Sequence, residues 1–223
     1  MVKAVIFDLD DTLISEKEYI KSGYMHISNI LHQKYGVHQE TCYNDLLYIF
    51  NESPRKVFDR LLTSYEIDYM PEEIMGLISA YREHYPTISF YSDVLPCIQL
   101  LKNKGILTGV ITDGYAFGQR QKLKVLNAES LFNEIIVTDE LGRDYWKPHP
   151  RAFELMSSKL NVSFEDMTYV GDNPEKDFYI SKLYPITTIR IHRKGVHQNK
   201  SYFEGILEHN SYNSLSDFAV TVT

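Results

Sequence analysis

Short apolar runs recur along this chain and alternate with stretches whose apolar residues have helical spacing. The apolar runs predict strands at residues 3–8, 106–111, 134–138, 167–171 and 186–191. The helical patterns lie near residues 93–104, 115–126, 150–160 and 174–183. Alternation of this kind is typical of a parallel sheet with helices on both faces. The sequence therefore predicts an α/β fold with a doubly wound parallel sheet.

One long segment interrupts this alternation. From about residue 15 to residue 91 no strand-like pattern is present, and its first part carries an apolar face at helical spacing, formed by Ile20, Tyr24, Ile27, Leu31 and Tyr35. Further helix starts are predicted at Ser53-Pro54 and at Pro71. We therefore expect two domains, a sheet domain made of residues 1–14 and 92–223 and an inserted helical domain made of residues 15–91.

Two aspartates, Asp8 and Asp10, stand two residues apart at the end of the first apolar run. Side chains at positions i and i+2 of a strand point to the same side, so both carboxylates are expected together at the carboxyl edge of the sheet. Open α/β sheets bind their ligands at this edge. Two ionised carboxylates held so close repel each other unless they share a cation or a proton. The pair therefore indicates a metal site.

Polar residues also follow two later stretches of the chain. Thr112 ends the second apolar run, and its hydroxyl group, with backbone N–H groups near Gly114, suits an anionic oxygen. Lys147 stands before Pro148, which disfavours helical geometry and predicts that the lysine projects from a loop. Thr112 is therefore a candidate for binding an anionic group, and Lys147 is the cation placed to serve the carboxylates of the predicted site.

A second acidic site follows the apolar run at 167–170. Asp172 comes directly after it, and Asn173 is predicted to cap a helix that starts at Pro174. Asp177 would then lie in or just beyond the first turn of that helix, where the helix dipole favours a negative charge. Asp172 is the stronger candidate for a site residue.

In chain order these residues resemble the four motifs of the haloacid dehalogenase superfamily: a DxDxT motif that starts at Asp8, then Thr112, then Lys147, then the GDxxxxD motif that ends at Asp177. The resemblance covers nearly the whole chain. It implies a Rossmann-like catalytic core and identifies the inserted helical segment as similar to the C1 cap of that family. In the family such a cap closes over the catalytic crevice and contributes to substrate choice.

The resemblance implies a phosphomonoester hydrolase that acts on a small soluble phosphometabolite. Asp8 would attack phosphorus and form an aspartyl-phosphate, which divides one displacement into two steps. Asp10 would protonate the leaving oxygen and later activate water. Thr112, Asp113 and Lys147 would bind the substrate phosphate, and Thr112 and Lys147 would also stabilise the charge that develops on it.

The resemblance also implies a Mg²⁺ cofactor, a hard cation that prefers oxygen ligands. Its ligands would be the carboxylates of Asp8 and Asp172 and the backbone carbonyl of Asp10, with Asp177 near its water shell. One position departs from the commoner pattern: this chain has Asp113 where many relatives carry asparagine. The role of that side chain stays open.

Asp10 favours phosphoryl transfer over dehalogenation, because the loss of a halide needs no acid. A phosphomutase of the β-phosphoglucomutase type shares the same motifs and is the alternative enzyme. A non-catalytic regulatory or binding module on the same fold is the alternative of another class. The clustered carboxylates argue against it, because a scaffold has no use for buried charges that are costly to keep.

Composition limits the partners. The formal net charge of −7 argues against a nucleic-acid partner, and no apolar run is long enough to cross a membrane. The first strand starts at residue 2 or 3 and leaves no room for a signal peptide, and Cys42 and Cys97 have no metal or redox spacing. We therefore expect a cytoplasmic protein with a small-molecule phosphate ester as substrate. The physiological ester and the oligomeric state stay open.

Overall fold

The computed structural model describes residues 1–194 and 196–222. Within these residues, six strands form one sheet in which every neighbouring pair is parallel. The strands are β1 (Ala4–Phe7), β2 (Leu107–Thr112), β3 (Glu134–Val137), β4 (Met167–Gly171), β5 (Thr187–Ile191) and β6 (Asn210–Tyr212). Their order in the sheet is β3-β2-β1-β4-β5-β6. The predicted fold class is confirmed, and β6 is a strand that the sequence patterns did not predict.

The central strand β1 determines where polar residues meet. Its four residues are completely buried, as expected for a parallel strand covered on both faces. Phe7, its last residue, pairs in register with Val110 of β2 and Val170 of β4. The strand order reverses between β1 and β4, and such a switch point is where doubly wound sheets bind ligands. Residues that follow β1 and β4 therefore reach the same crevice.

The helices of the described residues are α1 (Glu16–Tyr35), α2 (Gln39–Glu52), α3 (Val57–Ser64), α4 (Pro71–Glu83), α5 (Val94–Asn103), α6 (Ala116–Val125), α7 (Ala128–Leu131), α8 (Arg151–Leu160), α9 (Ile180–Leu183) and α10 (Leu215–Thr221). None of them combines the length and the apolar character needed to cross a bilayer. Four of them lie in the inserted segment, where α1 buries the predicted face through Tyr24, Ile27 and Leu31.

The helix predicted at 174–183 was wrong over most of its length, because only Ile180–Leu183 is helical. Residues 174–179 form turns instead. The Asn173 side chain accepts a hydrogen bond from the Glu175 N–H at 3.1 Å, and the Asp177 carboxylate accepts hydrogen bonds from backbone N–H groups that precede it. These local bonds favour a tight loop over a regular helix.

The chain consists of two compact units, Met1–Glu16 with Ser89–Thr223 and Lys17–Ile88. The sheet unit has a core in which Ile6, Phe153 and Tyr169 are completely buried. The helical unit has a separate core around completely buried side chains such as Leu46 and Leu61. From the sequence we predicted domain boundaries at 14/15 and 91/92, and these stay a prediction. The boundaries between the two compact units fall at 16/17 and 88/89.

Candidate active site

The carboxyl edge of the sheet contains a cavity of about 370 Å³. Its lining includes Asp8, which follows β1, Asp172, which follows β4, and Lys147, together with Asp10 and Asp113. Asp8, Asp113 and Asp172 are placed there because each directly follows a parallel strand, and parallel strands end at the same edge of a sheet. The structure thus brings five of the seven predicted site residues to one cavity. The other two, Thr112 and Asp177, are completely buried. Asp177 accepts a hydrogen bond from Lys147, and Thr112 accepts one from Gln119, which also donates to Asp10.

Lys147 is a completely buried cation at this site. Its Nζ donates hydrogen bonds to Asp8 Oδ1 at 2.8 Å, to Asp177 Oδ1 at 2.8 Å and to the Tyr169 hydroxyl at 2.7 Å. Burial alone would lower the pKa of Lys147, but Asp177 and Asp8 outweigh it and raise that pKa well above its usual value. Burial raises the pKa of Asp8 to about 6, against the opposing charge of Lys147. An ammonium group therefore stays fixed beside the Asp8 carboxylate.

Asp172 has the environment of a metal ligand. Its Oδ1 accepts a hydrogen bond from Thr12 Oγ1 at 3.2 Å. Its Oδ2 is buried and accepts no hydrogen bond from the described residues, although His197 Nε2 lies 3.2 Å away. Burial, and then the charges of Asp177 and Asp8, raise the pKa of Asp172 well above its usual range. An orphaned oxygen in such a setting is the property expected where a cation completes the site.

The donor set fits a hard divalent cation. Asp8, Asp172 and Asp177 each offer a carboxylate oxygen, and these oxygens lie within 4.8 Å of one another. Oxygen ligands of this kind suit Mg²⁺ better than soft metals. The sheet edge thus has an acidic cluster that can bind a metal ion. That the ion is Mg²⁺ stays a prediction.

Asp177 already has protein partners for both of its oxygens. Oδ1 accepts the bond from Lys147, and Oδ2 accepts from the backbone N–H groups of Asp172 at 3.2 Å and Asn173 at 2.9 Å. Burial opposes ionisation here, but the charge of Lys147 outweighs it and lowers the pKa of Asp177. Asp177 therefore orients both the lysine and the loop that carries Asp172.

The Asp113 side chain forms a partly buried ion pair. Its Oδ2 accepts a hydrogen bond from Lys176 Nζ at 2.9 Å, and its Oδ1 accepts from Thr138 Oγ1 at 2.8 Å and from the Lys147 N–H at 3.1 Å. Burial opposes its charge, but Lys147 and Lys176 hold the pKa of Asp113 below its usual value. The carboxylate of Asp113, at the position where the resemblance led us to expect asparagine, is thus paired with Lys176.

Asp10 pairs with a different lysine from Asp8. Its Oδ1 accepts a hydrogen bond from Lys122 Nζ at 2.7 Å, and its Oδ2 accepts from Gln119 Nε2 at 2.8 Å. Since β1 ends at Phe7, the i and i+2 rule for strands does not apply to these two carboxylates, and each accepts a hydrogen bond from a different buried lysine, Lys147 for Asp8 and Lys122 for Asp10. That the pair marks a metal site stays a prediction.

Thr112 is the last residue of β2, and its hydroxyl oxygen accepts a hydrogen bond. Its Oγ1 accepts a hydrogen bond from Gln119 Nε2 at 2.9 Å, which leaves its own proton to be donated elsewhere. Gly114 follows in a conformation with φ of 131°, which favours glycine, and a Cβ atom there would lie 2.9 Å from Gln119 Nε2. The glycine thus lets the glutamine side chain approach the end of β2.

A model of the haloacid dehalogenase-like hydrolase family matches residues 5–191. The chain belongs to this family. A glyceraldehyde 3-phosphate phosphatase of Methanopyrus kandleri is 30% identical to this hydrolase over 207 residues, which cover 89% of this chain and 87% of the relative. A pyrophosphatase of Anoxybacillus flavithermus is 28% identical over 77% of this chain and 75% of its own. The predicted family and the predicted enzyme class, a hydrolase related to phosphatases, are confirmed.

A solved structure supports the same assignment at the level of the fold. The crystal structure of a phosphatase of this family from Thermococcus onnurineus superposes on this hydrolase with a TM-score of 0.62 and covers 97% of this chain and 96% of its own. The two sequences are 23% identical, so this likeness establishes the fold alone.

Sequence reasoning did not find Gln119, Lys122 and Lys176. Gln119 and Lys122 lie on α6, and polar residues on a helix usually face water, so no pattern indicated that these two are buried. Lys176 had a usable signal, because it stands inside the GDxxxxD motif next to Asp177. A cation at that position is one way to compensate the additional carboxylate of Asp113.

Proposed function

We propose that this hydrolase is a Mg²⁺-dependent phosphatase that cleaves a small phosphate monoester through an aspartyl-phosphate on Asp8. The observation that carries the proposal is the Asp8 carboxylate, held at the cavity by the buried Lys147 and next to the orphaned Asp172 oxygen. The names of the two relatives, a glyceraldehyde 3-phosphate phosphatase and a pyrophosphatase, support a small phosphorylated substrate.

Lys147 prepares Asp8 for attack on phosphorus. The hydrogen bond from Lys147 fixes one Asp8 oxygen, and this restricts the side chain to a narrow range of orientations before substrate binds. Its ammonium charge also offsets repulsion between the anionic nucleophile and the anionic substrate. As the bond from Asp8 to phosphorus forms and the bond to the leaving oxygen breaks, Lys147 and the Thr112 hydroxyl stabilise the equatorial oxygens.

Mg²⁺ would be bound by the carboxylates of Asp8 and Asp172 and by the backbone carbonyl of Asp10. Asp177 would lie near the water shell of the ion. When bound, the ion would supply positive charge for the phosphate oxygens and for the clustered carboxylates. Asp177 keeps Asp172 in place through its bonds to the loop backbone. Asp113 holds Lys176, which lines the cavity as a second cation.

Asp10 would act as the general acid and then as the general base. It would transfer a proton to the leaving oxygen in the first step and take one from water in the second, as water attacks the aspartyl-phosphate and frees Asp8. Its side chain is about one fifth exposed, at 21%, which gives it access to solvent in the cavity. Release of inorganic phosphate completes the reaction.

The test is hydrolysis of a panel that includes glyceraldehyde 3-phosphate, pyrophosphate and sugar phosphates by purified protein with Mg²⁺. Phosphate release that disappears in Asp8→Asn, with a phosphoryl group trapped on Asp8 in the wild type, is the expected result. A phosphomutase would convert substrate to an isomer without net phosphate release. A binding module would show no turnover with any member of the panel. Either result would overturn the proposal.

A further inference from the structure

A second group of ligand atoms lines the same cavity as the proposed Mg²⁺ position. Asp11 and Asp172 each offer a carboxylate oxygen, His197 offers a ring nitrogen, and these three atoms lie within 4.8 Å of one another. Asp11 stands at a variable position of the DxDxT motif, and His197 lies outside the four motifs. The group therefore combines one motif residue with two residues to which the motifs give no role.

The contact between His197 and Asp172 has the distance of a hydrogen bond but not its geometry. His197 Nε2 lies 3.2 Å from Asp172 Oδ2, yet this buried oxygen accepts no hydrogen bond from the described residues. Two ligands of one Zn²⁺ ion, each about 2.1 Å from the metal, are about 3.4 Å apart in a tetrahedral site and about 3.0 Å apart in an octahedral one. Their lone pairs then point at the ion and not at each other. The separation of Nε2 and Oδ2 therefore fits two ligands of one ion.

Both carboxylates are held in place by other parts of the protein. Asp11 Oδ1 accepts a hydrogen bond from the Glu16 N–H at 2.9 Å, and Asp172 Oδ1 accepts one from Thr12 Oγ1 at 3.2 Å. Asp11 and Asp172 are exposed by only 7% and 2%. These bonds restrict both side chains before an ion binds, which lowers the cost of assembling the site.

The nearby cations already have anionic partners. Lys176 and Lys200 line the cavity, and they pair with Asp113 at 2.9 Å and with Glu175 at 2.7 Å. Their charges are therefore largely compensated, whereas the buried Oδ2 of Asp172 is not. The His197 side chain is 20% exposed, so an ion can reach it through the cavity.

We propose that Asp11, Asp172 and His197 form a second metal site, which takes a divalent transition-metal ion such as Zn²⁺. An imidazole nitrogen suits Zn²⁺, whereas Mg²⁺ prefers oxygen ligands. Since Thr12 bonds to Oδ1 of Asp172, one oxygen of this carboxylate remains for a cation, and the two ions compete for it. Zn²⁺ would therefore inhibit the hydrolase by withdrawing Asp172 from Mg²⁺. Only this inhibition, and not the site itself, rests on the proposed function.

The first test measures the Zn²⁺ affinity of chelator-treated protein by equilibrium dialysis. Wild type should bind Zn²⁺, and added Mg²⁺ should weaken the apparent affinity. In His197→Ala the affinity for Zn²⁺ should fall about 100-fold or more, because loss of a mere outer-shell partner already costs about 10–100-fold. His192→Ala is the matched control, since His192 is an exposed histidine directly after β5. It should keep the wild-type affinity.

His197→Asn is the second variant if His197→Ala does not fold. The backbone of His197 has a φ of 47°, a conformation that asparagine tolerates better than most residues. This variant also removes the imidazole, so it should weaken Zn²⁺ binding too. Equal Zn²⁺ affinity in wild type and the His197 variants overturns the site, because the ion then binds elsewhere. A Zn²⁺ affinity that does not respond to Mg²⁺ overturns the competition for Asp172.

The second test measures how Zn²⁺ inhibits phosphate release, with each protein compared with its own rate in the absence of Zn²⁺. The concentration of Zn²⁺ that halves the rate should rise with Mg²⁺ in the wild type. In His197→Ala it should be higher by about the same factor as the loss of affinity. Inhibition that is equal in wild type and His197→Ala overturns the inhibitory role. Absence of turnover with every phosphate ester contradicts the proposed function and leaves the dialysis result standing, so the two failures are distinguishable.

Discussion

The sheet unit of this hydrolase buries charged side chains in addition to its apolar core, whereas the core of the helical unit is apolar. In the sheet unit, Lys147 is completely buried among Asp8, Asp177 and the Tyr169 hydroxyl. In the helical unit, the core consists of aliphatic and aromatic side chains such as Leu61. Burial of apolar surface stabilises a fold by about 25 cal/mol per Å². A buried ion pair gains little stability, because desolvation offsets the attraction.

The difference indicates what each region contributes. The helical core stabilises its own unit, and its side chains are exchangeable for others of similar volume. By contrast, the group formed by Lys147, Asp8 and Asp177, here called the lysine centre, adds little to stability. We therefore expect its charges to act on a ligand. Substitutions in the helical core should therefore act on stability, whereas substitutions around Lys147 should act on activity and, where they leave a buried charge unpaired, on stability as well.

The largest effect is expected from Asp8→Asn, which keeps the volume of the side chain and removes the nucleophilic anion. Turnover should fall by roughly 10⁵-fold or more, as when a covalent nucleophile is removed from other hydrolases. The fold should persist, because an amide oxygen can still accept the hydrogen bond from Lys147. Steady-state kinetics and far-ultraviolet circular dichroism check both parts. Substantial activity in metal-supplied Asp8→Asn would show that another group attacks phosphorus.

Lys147→Met should affect stability as well as activity. It leaves two buried carboxylates, Asp8 and Asp177, without the ammonium group that both contact. Removal of one partner from a buried ionic network costs about 3–5 kcal/mol. Urea denaturation measures the loss of unfolding free energy. The control Lys159→Met breaks a partly exposed pair with Glu134 and should cost at most about 1 kcal/mol. Equal losses would mean that the lysine centre is no more important to stability than a surface pair.

Leu61→Ala tests the helical side of the comparison. Leu61 is completely buried in the helical core, so its truncation should lower the unfolding free energy by about 2–5 kcal/mol. Met75 is 60% exposed in the same unit, and Met75→Ala should change that free energy by about 0.5 kcal/mol or less. The readout is again urea denaturation. A negligible effect of Leu61→Ala would contradict the assignment of this cluster as the stabilising core.

Mg²⁺ binding should change the unfolding free energy least among these tests, and it should stabilise the sheet unit. An ion that binds only the folded form at about 100 times its Kd stabilises by about 2.7 kcal/mol. The melting temperature should therefore rise on addition of Mg²⁺ and fall with a chelator. Asp172→Ala should weaken this response, because it removes the carboxylate with the orphaned oxygen. Hydrogen exchange should show added protection around β1 and β4. A melting temperature that does not respond to Mg²⁺ would argue against the proposed cofactor.

Much of the fold could be predicted from periodicity. The apolar runs predicted β1 to β5 within a few residues, because a parallel strand buried on both faces leaves an unmistakable apolar signature. β6 was missed, since its residues Asn210–Tyr212 are not apolar. The predicted helix at 174–183 failed because side chains there bond to their own backbone. Local hydrogen bonds of this kind produce no periodic pattern of apolar residues in the sequence.

The sequence by itself determined the order of the motifs along the chain, and hence which carboxylates and which lysine reach the sheet edge. It also determined the family, because four short motifs in one order are a linear property. Only the tertiary structure decided which cation belongs to which carboxylate: Lys147 to Asp8, Lys176 to Asp113 and Lys122 to Asp10. These partners are up to 139 residues apart, and that longest pair joins Lys147 to Asp8. Charge pairing depends on distances of a few ångströms, which packing sets and sequence spacing does not.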